Sequence, residues 1–180
     1  LTLKHVTIGS GVQNYTCQSG QSKPTALGAL ATLYDVTTLA YIALSTVNAI
    51  PAHAVQQSLT SAVIVGNPLS VPNIGSFPIL GSHYFTADGT PTFDLVTVRE
   101  ILSAKKIGDI PAPKGAASGA NGEGAVDWLA LSDSGKGMSV GLGEVYRVET
   151  AGGNPPGTCQ GIKSDTVFSV QYSAEYWFYG

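Results

Sequence analysis

The clearest pattern in the chain lies near its C-terminal end. From Asp165 to Tyr179 apolar and polar positions alternate. Phe168, Val170, Tyr172, Ala174, Tyr176 and Phe178 fall on one parity, and Ser169, Gln171, Ser173 and Glu175 fall on the other. Side chains of a strand point alternately to its two faces, so this period predicts one long half-buried strand. At roughly 3.3 Å per residue it would cross a whole domain. Just upstream, Glu144 to Thr150 (EVYRVET) is a second β-rich run, joined to the first by the turn-rich AGGNPPGTCQG.

The remaining pattern is also strand-like. Leu1 to Cys17 reads as strand, glycine bend, strand, with Gly9-Ser10-Gly11 as the bend. Gly28 to Val36 is apolar on both parities, and its length and β-branched end favour a buried strand over a helix segment. Pro51 to Leu59 could start a helix, with proline in the first turn. Val63 to Val65 is a short strand, and Pro68, Pro72 and Pro78 make the following stretch irregular. Ser82 to Val98 reads as a hairpin about Asp88-Gly89, a type I′ turn dipeptide. Ala104 to Gly124 is a long loop rich in Gly, Ala, Pro and Ser. Val126 to Leu131 and Met138 to Leu142 complete the set. Strands separated by turn signals predict an all-β fold: an antiparallel barrel or sandwich with long irregular loops and at most one or two short helices.

Composition supports a single domain over residues 1–180. A chain of 180 residues buries about 70% of its unfolded surface. Charged residues are only 12%, and the 22 glycines and 10 prolines favour turns. Net charge is −3, and the nine basic residues, of which only Arg99 and Arg147 are arginines, form no stripe. Nucleic acid and anionic membrane surfaces are therefore poor partners. No apolar run reaches the length of a membrane span. No GxGxxG follows a strand and no GxxxxGK[ST] is present, so no nucleotide cofactor is expected. Cys17 and Cys159 are either two buried thiols or one disulfide. The sequon Asn14-Tyr15-Thr16, next to Cys17, favours a disulfide, glycosylation at Asn14 and an extracellular address.

Candidate chemistry is thin. Gly137-Met138-Ser139-Val140-Gly141 matches a nucleophile elbow, but it lies between strands and all three histidines precede it, so it reads as a turn. The histidines show no metal-binding spacing, and no metal is expected. His83 shares its hairpin with Asp88 and Asp94, and with Asp127 these form the available acid–base set, although a hydrogen-bonded structural histidine is the simpler reading. Asp88, Asp94, Asp127, Glu144 and Glu175 are the carboxylates from which a glycosidase pair would be drawn. Trp128 is expected in the core, with an exposed platform for a sugar ring as the other reading. Arg147, on the face opposite Tyr146, is expected to pair with Glu175 or Glu149, or else to bind an anionic ligand.

GVQNYTC at 11–17, ATLYDVT at 31–37, GSHYFTADGTPTFD at 81–94, AVDWLAL at 125–131 and VYRVETAGGNPPGTC followed by VQYSAEYWFY resemble, in the same order, a family of secreted fungal and some bacterial proteins. That family is a domain of unknown function whose members are often labelled malate dehydrogenase. The resemblance implies secretion and a Cys17–Cys159 pair, and supplies no catalytic residues. The dehydrogenase label conflicts with a chain that has no dinucleotide fingerprint. Three functions are in view. The first is non-catalytic binding of carbohydrate or cell-wall material, with Trp128, Arg147 and Glu175 as ligand-binding candidates. The second is a hydrolase or lyase around His83, Asp88, Asp94 and Asp127. The third is a structural surface protein. The oligomeric state is left open.

Overall fold

The structure, a computed structural model, describes residues 1–59 and 66–180. Its body is a closed antiparallel barrel of eight strands: β1 (Leu3–Thr16), β2 (Thr25–Asp35), β5 (Ile79–Phe85), β6 (Pro91–Leu95), β7 (Glu100–Ile110), β8 (Trp128–Asp133), β9 (Glu144–Gly152) and β10 (Val167–Tyr179). A small hairpin, β3 (Leu69–Val71) and β4 (Gly75–Phe77), stands outside the barrel sheet. Apart from that hairpin, each strand pairs with the next in the chain, and β10 returns to β1. The closing ladder runs from Leu3↔Tyr179 to Thr16↔Val167. Closure leaves the barrel sheet without an edge strand, which decides between barrel and sandwich.

The barrel uses both faces of its closing strands. Inward, Tyr172, Ala174, Tyr176 and Phe178 of β10 meet Leu33, Phe93, Leu102, Leu131 and Val145 in one core. Outward, Val6 and Ile8 of β1 pack with Val47, Ile50 and Ala54 of α2 (Leu44–Ala54), which follows a short α1 (Thr37–Ile42). An eight-stranded barrel is just wide enough for side chains to fill it. Here the filling aromatics need room on β1. A Cβ on Gly9 would lie 2.4 Å from the Tyr176 ring, and one on Gly11 would lie 2.0 Å from the Leu30 carbonyl oxygen. The two glycines are therefore not a bend. They sit inside one continuous strand, opposite Ala174 and Tyr172.

Other expectations shift by a few residues. Pro51 lies inside α2 rather than at its start. The loop from Ala104 is shorter than expected, because β7 runs on to Ile110. The hairpin strand from Thr92 stops at Leu95, and Arg99, at φ 58°, turns the chain into β7. The Asp88-Gly89 turn is not type I′, since only Gly89 (φ 79°) has a positive φ. Thr86 N–H donates to Thr90 O, so residues 87–89 form a three-residue loop of the kind that ends in a left-handed residue. Met138 to Leu142 forms no strand of its own: Val140 exchanges backbone hydrogen bonds with Ile101, which Gly141 also bridges. The expected strand Val63 to Val65 lies outside the described residues.

Cys17 and Cys159 form a disulfide at the end of the barrel where β1 finishes and β10 begins. At the opposite end Glu100 takes a hydrogen bond from Lys4 and shares a 2.9 Å contact with His5.

Candidate functional site

Two concave features border three of the candidate residues, Trp128 at one and His83 and Arg147 at the other. The first is on the outside of the barrel, over β8 and β9. Asn48, Pro51 and Ala52 of α2 form one wall, residues 113–117 of the β7–β8 loop form the other, and Trp128 and Glu149 lie on the floor. The cleft measures about 300 Å³. Alternation along β8 puts Leu129 inward, opposite Arg147, and Trp128 outward. Trp128 is thus half-buried on the outer surface and not in the core. Its indole also borders a second groove of about 340 Å³, lined by Ile110, Ala130, Tyr146 and Val148. Its Nε1–H is buried and has no acceptor among the described residues. Glu149 reaches this surface through a β-bulge, where the β9–β10 register shifts between Ser173 and Glu175. Its φ of 45° marks the extra residue.

The second feature is inside the barrel, towards the disulfide end. Gln13, Ala29, His83, Phe85, Leu129, Arg147 and Tyr176 are among the residues around it, and it measures about 40 Å³. His83 is buried, stacked on Phe93 with ring centroids 4.1 Å apart, and its Nδ1 lies 2.9 Å from Thr92 O. Burial pushes its pKa down to about 4, so the ring is neutral near pH 7. Arg147 points inward, opposite Leu129 on one side and Tyr176 on the other. Its Nε and Nη2 donate to Asp127 O at 3.2 and 2.8 Å. The expected pairing with Glu175 or Glu149 does not form, because Glu175 faces the other side of the sheet. Close by, the Tyr172 and Tyr176 hydroxyls are 2.9 Å apart and the Tyr15 hydroxyl donates to Gly153 O. Burial raises Tyr15 to about 12, partly opposed by the Arg147 charge.

The acid–base set is not gathered. His83 is inside the barrel. Asp94, opposite Ser82, points outward. Asp88 is exposed in its turn, where the Lys136 ammonium first, and the Thr86 hydroxyl next, hold it well below the usual carboxylate range. Asp127 is exposed and contributes its backbone carbonyl to Arg147. Ser139 of the elbow-like motif donates to Asp133 and accepts from Ser103 N–H, a structural role next to β7. Glu175 is buried under α2, with Trp177 Nε1–H donating to it at 2.8 Å. Among the described residues, no three metal-ligating side chains come together.

Sequence reading missed Asn48, Tyr146 and Gln13. Asn48 and Tyr146 depend on how α2 and β9 sit beside Trp128, which no local pattern records. Gln13 left a weak signal: it is the one amide in the inward series Thr7, Gly9, Gly11, Gln13 and Tyr15 of β1. Asn14 faces outward, where its Oδ1 accepts from Ser169 at 2.7 Å.

The fold defines an eight-stranded up-and-down β-barrel with a helix on its flank, an outer aromatic cleft and a small inner cavity bordered by Gln13 and Arg147. The chain belongs to the family described as protein of unknown function (DUF3455), whose model matches residues 1–180. No curated protein and no solved structure matches it.

Proposed function

We propose that this is a secreted, non-catalytic barrel that binds carbohydrate or cell-wall polysaccharide through the cleft over β8 and β9. The observation that carries this reading is Trp128. Its indole lies half-exposed across two adjoining grooves, with Tyr146 on the next strand. Sugar rings offer the complement, C–H faces that pack on an aromatic plane. Asn48 and Lys114 on the walls and Glu149 on the floor supply further polar groups, and a few polar groups beside apolar surface is the usual make-up of a ligand cleft. The barrel beneath is closed, and the β8–β9 pairing sets the backbone that carries both aromatics before a ligand arrives.

Secretion is supported by the Cys17–Cys159 disulfide, since such bonds persist in oxidising compartments, and by the outward-facing sequon asparagine, Asn14.

The test is retention on insoluble chitin, β-glucan and cellulose, with tryptophan emission followed against soluble oligosaccharides. Wild type is expected to bind at least one of the three and to change its emission. Trp128→Ala is expected to lose at least tenfold in affinity, because an aromatic platform dominates such a site. Absence of retention on all three polymers would sink the reading.

A further inference from the structure

We infer that the cavity inside the barrel is a binding site for a small carboxylate, formate to acetate in size, with Arg147 as its counter-ion. The inference is independent of the outer cleft. It starts from a charge without a partner. Arg147 is only 8% exposed, and the acceptors beside its guanidinium, the Asp127 carbonyl and the Tyr176 hydroxyl, are both neutral. Among the described residues no carboxylate forms an ion pair with it. Buried guanidinium groups are ordinarily paired, because neutral acceptors replace their hydration without cancelling their charge. His83 is neutral near pH 7, so Arg147 is the single charge among the residues around the cavity.

A second, independent observation comes from β1. Gln13 is also 8% exposed, lines the same cavity, and has a buried Nε2 with no acceptor. A donor from β1 without an acceptor and a guanidinium from β9 without a counter-charge thus border one space. A carboxylate has two oxygens for two such donors. The space sets its size. A cavity of about 40 Å³ holds roughly three water-sized spheres, which suits formate or acetate and excludes a ring. The rest of the wall sets its character: Ala29, Phe85, Leu129 and Leu131 are apolar and suit a methyl group. That favours acetate over an inorganic anion, which would leave this side of the cavity unfilled.

The experiment uses the intact, disulfide-bonded chain. Melting temperature is followed against sodium formate, acetate and benzoate, with sodium chloride at matched ionic strength. Wild type is expected to show a saturable rise with formate or acetate and none with benzoate, because binding to the native state alone raises stability by mass action. Arg147→Met and Gln13→Leu are each expected to weaken the apparent Kd at least tenfold. If Arg147→Met does not fold, Gln13→Leu carries the comparison. Gln13→Glu places a tethered carboxylate where the free one would bind. It is expected to melt above wild type at pH 7 and to ignore added acetate. The inference is overturned by a wild-type melting point that does not respond, by chloride saturating the response as well as acetate does, by an unchanged response in Gln13→Leu, or by Gln13→Glu melting below wild type.

Discussion

Glu175 is 1% exposed and carries a carboxyl group that water does not reach. It lies on the outer face of β10, under α2. Trp177 donates to one oxygen, and the Asn48 side chain, with its amide turned as its neighbours require, donates to the other at 3.0 Å. Burial is the largest influence and lifts the pKa from 4.5 to about 7, with the Trp177 hydrogen bond opposing and Glu149 adding to the rise. Between these two values the native state keeps a proton that the unfolded chain has released. The contribution to stability is therefore full below about pH 4.5 and is lost as pH rises through about 7. At about 1.4 kcal/mol per pH unit between the two, the loss is on the order of 3 kcal/mol. Glu175→Gln is expected to remove it, since the Asn48 amide can turn to accept from a glutamine N–H. Urea unfolding should show the variant about 2–3 kcal/mol more stable than wild type at pH 8 and equal to it at pH 4. A variant weaker at pH 8 would count against this account. Alternation along β10 correctly put Glu175 on the side away from the aromatic core. It did not reveal that a helix covers that side, because alternation assigns a face and not what lies over it. The same limit explains Trp128, whose placement outside the core follows from strand pairing that local sequence does not record.

At the level of elements, β1 is the strand whose composition was most misleading. Gly9 and Gly11 read as a break, yet the strand runs unbroken from Leu3 to Thr16. Their reason lies on other strands: the Tyr176 ring crowds Gly9, and the β2 backbone at Leu30 and Ala31 crowds Gly11. Such a demand is tertiary and leaves no local signature. The two sites should respond differently. An alanine methyl at position 9 meets the edge of a ring that can shift, so Gly9→Ala is expected to cost about 1–3 kcal/mol. At position 11 it meets a carbonyl oxygen at 2.0 Å and a Cα at 2.6 Å, both backbone, so Gly11→Ala is expected to cost more, about 4 kcal/mol or above. Denaturant midpoints of the two variants check the order, and a Gly11→Ala protein as stable as Gly9→Ala would contradict the close approach. By contrast, β10 was legible almost to the residue, since its inner positions alternate without exception from Tyr172 to Phe178. The β5–β6 hairpin was legible too, because its turn residues act locally. Its turn type was not: strand pairing decided which residue took the left-handed conformation.

For the whole molecule, the sequence indicated many short antiparallel strands but not whether they close. Closure is a property of the β1–β10 ladder, which joins the two ends of the chain, and no short window contains it. The disulfide fastens the same two ends, with its cysteines 142 positions apart in the sequence. In the folded state the bond adds little constraint, because Thr16 and Val167 are already paired beside it. Its effect falls on the unfolded chain, where tying the termini removes loop-closure entropy. For a loop of this length the chain-entropy model gives about 5 kcal/mol, and native disulfides typically return about 2–5. Replacing both cysteines by serine is therefore expected to leave the barrel folded, to lower its urea midpoint by an amount equivalent to about 2–5 kcal/mol, and to steepen the transition, because an untied chain exposes more surface. The pairing of change in midpoint with change in slope is what identifies the mechanism. A lower midpoint with an unchanged slope would instead place the stabilisation in native contacts around Cys17, where Asp165 N–H donates to the Cys17 carbonyl and Cys159 N–H to that of Ser22.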